Sequence, residues 1–118
     1  MGDSLFEWIV DTGATYHCVP KRKLFTTYKE GDFGVTKMEN NTMSQIVGIG
    51  DIIVETSTGC TLTLRDARHI PYMRMNLLSI NVFEKEGYES QQKNAQWKLL
   101  KGTLLVVKGK LCSRMYKT

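Results

Sequence analysis

Proline is scarce in this chain: only Pro20 and Pro71 occur in 118 residues. Proline removes a ladder hydrogen bond, so its scarcity leaves long stretches free to form strands and excludes a proline-rich linker. Cysteine is scarce too. Cys18, Cys60 and Cys112 are odd in number and far apart, which excludes a disulfide scaffold and points to free buried thiols in a reducing compartment. The two histidines, His17 and His69, stand without any Cys-x-x-Cys or His-x-x-x-His spacing. Both are read as structural, and no metal centre is expected. His17 and Cys18 are adjacent, and neighbours on a strand face opposite ways, which argues against a Cys-His nucleophile pair.

Long hydrophobic runs are absent as well: none approaches the roughly 18 residues of a membrane span. The N-terminus also lacks the basic and apolar regions of a signal peptide. A soluble, intracellular chain with no membrane partner is expected. Nor is charge of one sign concentrated. Sixteen Lys plus Arg face twelve Asp plus Glu, a net charge of +4, with Lys21-Arg22-Lys23 the densest cluster and a scatter from Lys98 to Lys117. No aromatic pattern accompanies these bases, so they read as a solvated surface, and direct nucleic-acid binding is not expected.

What the chain does contain is apolar residues at strand spacing. Hydrophobic residues make up 42% and glycines number ten, a balance that fits one folded domain over residues 1–118. Leu5 to Val10 reads as a strand, and Lys21 to Phe25 as a short turn or helical piece. Phe33 to Met38 and Met43 to Val47 flank Glu39-Asn40-Asn41-Thr42, whose asparagines tolerate left-handed dihedrals, giving a hairpin. A second hairpin joins Ile52 to Thr56 with Cys60 to Leu64 through Thr58-Gly59, and Asp66 to Ile70 continues as a strand that Pro71 ends. One helix is predicted over Leu77 to Glu86, with Ser79 or Asn76 as its cap and Gly87 at its stop. Four more strands follow: Tyr88 to Gln92, Gln96 to Leu100, Leu104 to Lys108 and Leu111 to Tyr116. The fold class is all-β, a barrel-like or sandwich domain with one late helix.

One run carries chemistry. Trp8-Ile9-Val10-Asp11-Thr12-Gly13-Ala14 is an apolar strand that delivers an acid into a tight turn. A carboxylate so placed can act as a general base on water, but it needs a second carboxyl beside it to act as the acid. Two carboxylates about 3 Å apart cannot both ionise cheaply, so such a pair shares one proton. The chain holds a single Asp-Thr-Gly turn.

That run resembles the retroviral-type (retropepsin) aspartic proteases and, more closely, the protease of plant copia-type LTR retrotransposons. Further matching stretches are Gly31-Asp32-Phe33-Gly34, Val47-Gly48-Ile49-Gly50-Asp51-Ile52, Thr58-Gly59-Cys60-Thr61-Leu62 and Arg68-His69-Ile70-Pro71. The likeness continues through Asn76-Leu77-Leu78-Ser79, Gly87-Tyr88-Glu89-Ser90, Trp97-Lys98-Leu99 and Lys101-Gly102-Thr103-Leu104, so it covers nearly the whole chain.

The resemblance implies a retropepsin-like closed or partly open β-barrel that works as a two-fold homodimer. It implies an aspartic endopeptidase acting on a Gag-Pol polyprotein, with no cofactor and no metal, within virus-like particles in the cytoplasm. Asp11 is then catalytic. Thr12 hydrogen-bonds across the dimer axis, and Gly13 lets the backbone turn and approach substrate. Ala14 and Thr15 become substrate-binding, as do Met38, Asn40 and Met43 on a flap hairpin. Gly48-Ile49-Gly50 belongs to the arm leaving that flap rather than to its tip. The Leu77-Leu78 segment packs beneath the active-site loop and leads into the helix.

Two departures from the retroviral pattern stand out. An Asp after the Ala, paired with an Arg before the Asn-Leu-Leu segment, is replaced here by Thr15 and Met75. Losing both partners together avoids a stranded charge. The C-terminal strands, which form a dimer sheet in retroviral relatives, are also longer. Two rival readings remain open: a non-catalytic, retroelement-derived dimerisation or binding module, and an RNA-binding module favoured only by the +4 charge.

Overall fold

The computed structural model describes residues 8–38, 41–112 and 115–118. The elements are β1 (Trp8–Asp11), β2 (Cys18–Val19), a 3-10 turn (Arg22–Leu24), β3 (Lys29–Glu30), β4 (Val35–Lys37), β5 (Met43–Gln45), β6 (Gly48–Glu55) and β7 (Thr61–His69). They continue with β8 (Asn76–Ser79), α1 (Ile80–Lys85), β9 (Glu89–Lys93), β10 (Gln96–Lys101), β11 (Leu104–Cys112) and β12 (Met115–Lys117). The fold is thus mostly β with one short helix. No helix among the described residues is long and apolar enough to cross a membrane.

Ten strands form one sheet in the order β3-β6-β7-β2-β8-β1-β12-β11-β10-β9, and β4 pairs with β5 separately. Of the expected closed or partly open barrel, the closed form is corrected, because this sheet does not close. Its end strands, β3 and β9, are not paired with each other. β3 is a two-residue, exposed strand held only by β6, and β9 is a mostly exposed Glu-Ser-Gln-Gln-Lys run. Short or polar edges of this kind resist pairing with another strand, which lets the sheet stay open safely.

β6 and β7 form the longest hairpin, turning at Gly59, whose φ is +83°. Asp66 lies within β7, which continues through it. It sits at φ +53° in a bulge where the register slips between Gly50 and Ile52, and its N–H donates to Asp51 Oδ1 at 3.1 Å. The strand runs on through this bulge to His69, in line with the continuation expected over Asp66 to Ile70. Trp97, Phe83, Ile52, Leu64, Leu99 and Val19 are fully buried and share one core cluster fed by β6, β7, β10, β11 and α1.

The helix begins at Ile80 rather than Leu77, because Asn76–Ser79 pair in parallel with β1, Asp11 lying opposite Ser79. Ser79 Oγ accepts from Val82 N at 3.3 Å, so Ser79 is the cap and Asn76 is not. At the other end Gly87 takes φ +91°, Gly87 N donates to Glu84 O, and Tyr88 N donates to Phe83 O. The Phe83 and Tyr88 rings close this C-terminal motif at 5.5 Å.

The C-terminal strands pair within the chain. β12 lies between β11 and β1, with Ile9 opposite Lys117 and Val10 opposite Tyr116. Thr118 N donates to Trp8 O at 3.0 Å, and Trp8 N donates to Thr118 Oγ1 at 3.3 Å. Both edges of β1 are filled, by β8 and by β12.

Candidate active site

β1 delivers Asp11 into an exposed loop that returns to the sheet at β2. Gly13 N donates to Asp11 Oδ1 at 2.8 Å, an Asx-type turn that orients the carboxylate. The loop is held from behind by the start of α1. Asn81 Nδ2 donates to the Thr12 and Ala14 carbonyls at 3.3 and 3.2 Å, and Ser79 Oγ donates to the Ala14 carbonyl at 2.7 Å. At the loop's far end the buried His17 ring accepts from Ser79 N at Nδ1, 2.9 Å, and packs on Phe83 at 4.7 Å. An acceptor at Nδ1 leaves the proton on Nε2, so His17 is neutral. Burial lowers its pKa to about 4.

In front of the loop lies a cleft of about 900 Å³. Asp11, Gly13, Ala14 and Thr15 line it from the loop, Met38 and Met43 from the β4–β5 hairpin, and Met73, Arg74 and Met75 from the segment before β8. The hairpin closes through Met38 N to Thr42 O, 2.8 Å, and Asn41 N to Met38 O, 3.0 Å, with Asn41 at φ +66°. Thr12 is exposed but does not line the cleft; its carbonyl turns back toward Asn81. Asn40 lies outside the described residues. Gly48-Ile49-Gly50 runs in β6 between β3 and β7, on the arm beyond the hairpin.

Cys18 also faces the cleft, but burial pushes its thiol up to about 11, which leaves it protonated at neutral pH. His69 is held by Tyr28 and Pro20. Its Nε2 lies 3.1 Å from the Pro20 carbonyl, which can only accept, so the Tyr28 hydroxyl donates to Nδ1 across 2.7 Å. Sequence reasoning passed over Asn81 and the second role of Ser79. The only available signal was an Asn two residues beyond a helix cap, which any solvated helix start shares.

The family of the Pol polyprotein, beta-barrel domain, matches residues 8–88. The chain belongs to that family. This Pol beta-barrel domain is also similar to the Retrovirus-related Pol polyprotein from transposon TNT 1-94 of Nicotiana tabacum, 49% identical over 112 residues. The match takes in 95% of this chain but only 8% of the relative's length. The Pol beta-barrel domain described here is therefore a retrotransposon Pol polyprotein-derived domain.

Proposed function

We propose that this Pol beta-barrel domain is an aspartic endopeptidase that acts as a homodimer on a Gag-Pol polyprotein, in the virus-like particles of a retrotransposon in the cytoplasm. The observation that carries the reading is Asp11, set by the Gly13 amide on the wall of a peptide-sized cleft beside a two-stranded hairpin. One chain supplies one such carboxyl, and Asp11 of a second copy supplies the other.

An extended peptide lies in the cleft as an added strand, its side chains toward Ala14, Thr15, Met38 and Met43. The ionised member of the Asp11 pair takes a proton from a water held between the two carboxyls. That water's oxygen bonds to the scissile carbonyl carbon while the protonated member gives its proton to the carbonyl oxygen. Breakdown of the resulting diol, with proton transfer to the amide nitrogen, breaks the C–N bond. No covalent enzyme intermediate, cofactor or metal enters this sequence. The exposed Thr12 hydroxyl bridges the two loops across the two-fold axis, and the hairpin around Met38 to Met43 closes over the substrate to exclude water.

The test is Asp11→Asn in a precursor that carries flanking polyprotein. Wild type should process itself, and the variant should accumulate as a folded, uncut precursor. Cleavage that survives the substitution ends the proposal, and a folded wild type that cleaves nothing leaves the binding-module reading in its place.

A further inference from the structure

The peptide unit joining Thr12 to Gly13 is gripped at both ends. Its carbonyl oxygen accepts from Asn81 Nδ2 at 3.3 Å, and its N–H donates to Asp11 Oδ1 at 2.8 Å. A trans peptide is planar, so its C=O and N–H point opposite ways. A donor that fixes the carbonyl behind the loop therefore fixes the direction of the N–H in front of it. If that peptide rotated by half a turn, its oxygen would face the Asp11 carboxylate and repel it.

An amide NH₂ carries two hydrogens, so one Asn81 can serve two acceptors. Its second acceptor is the Ala14 carbonyl at 3.2 Å, which Ser79 Oγ also holds at 2.7 Å. Ser79 is fixed in turn by the His17 ring and by its place in β8 beside Asp11. The donor thus stands on a rigid element, while the loop it holds is largely exposed. Ser79 and His17 are buried and serve the core. Asn81 is exposed and is not among the residues of the core cluster.

We infer that Asn81 is a positioning residue for Asp11. It acts through the Thr12–Gly13 peptide and holds the carboxylate where a second carboxyl can share its proton. The kinetic part of this inference rests on the endopeptidase reading; the hydrogen-bond chain does not.

The experiment compares wild type, Asn81→Ala and Asn81→Asp on a cleavable polyprotein precursor, with Gly13 amide exchange followed in parallel. Asn81→Ala should lower kcat by about tenfold to a hundredfold, leaving KM within about twofold, because a loosened catalytic group costs rate rather than binding. Its Gly13 amide should exchange about tenfold faster, as expected for losing a bond of ordinary strength. Asn81→Asp faces two carbonyls with a carboxylate that can only accept. Once protonated it regains one donor, so its kcat relative to wild type should climb as pH falls through the carboxyl range, about 5 to 3.5. Unchanged Gly13 exchange in Asn81→Ala overturns the clamp. Faster exchange with unchanged kcat, or a flat Asn81→Asp ratio, overturns the positioning role. If wild type cleaves nothing, the endopeptidase reading fails while Gly13 exchange still decides the clamp.

Discussion

His17 is a neutral ring wedged between the loop that bears Asp11 and the start of α1. In the unfolded chain it titrates near the ordinary histidine value of 6.5, and in the folded chain burial lowers this to about 4. Between those values the unfolded state binds more protons, so stability falls as pH drops through this window. Below about 4 both states are charged and this group adds no further slope. The shift corresponds to about 3 kcal/mol across the window. Denaturant melts at pH 7.5, 5.5 and 4 should show that decline, and His17→Gln should flatten this component while lowering stability at neutral pH. A wild-type profile with no slope there would show that the ring is not held neutral. That β1 runs into a turn at Asp11 and Gly13 is legible in the sequence, because apolar residues ahead of Asp, Thr and Gly signal a strand meeting a turn. Asn81 is not, because its importance lies in two carbonyls that turn to meet it, and no side-chain pattern encodes the direction of a peptide plane.

Among the elements, the two hairpins and the helix stop are legible because Asn41, Gly59 and Gly87 each take a left-handed dihedral that the sequence can signal. β8 is not. Its four residues precede a helical pattern and fit either period, and only the pairing with β1 and β2 makes them a strand. The assignment of Gly48-Ile49-Gly50 to β6 can be tested directly. A Cβ on Gly50 would overlap the Thr27 backbone carbonyl, which crosses β6 at that point. Gly50→Ala should therefore cost about 2 kcal/mol of stability, in the range of overpacked sites. The denaturant midpoint should fall with the m-value unchanged. A variant of full stability with an altered KM would instead make this segment part of the flap.

At the scale of the molecule, the open sheet leaves β3 and β9 as edges and takes the C-terminal strands into the chain's own fold. The sequence does not reveal this pairing, since strands so far apart leave no local signal of who their neighbours are. Because β11 and β12 are used internally, the proposed dimer would draw instead on the rim of the cleft that holds Asp11. Tyr16, Tyr72 and Met75 are exposed there, Tyr72 at 82%. A contact confined to such a rim is small and weak. Specific activity should therefore fall on dilution, and Tyr72→Lys should shift that fall to higher protein concentration. Specific activity independent of concentration would count against a site shared between copies.

The bonds between Trp8 and Thr118 span 110 residues of sequence. Long-range pairings of this kind form late in folding, because loop-closure entropy opposes them until other contacts have shortened the loop. The strand that carries Asp11 thus gains its second neighbour only when the last described residues arrive. On a ribosome, β1 would lack its β12 neighbour at Ile9 and Val10 until residues 115–118 had emerged.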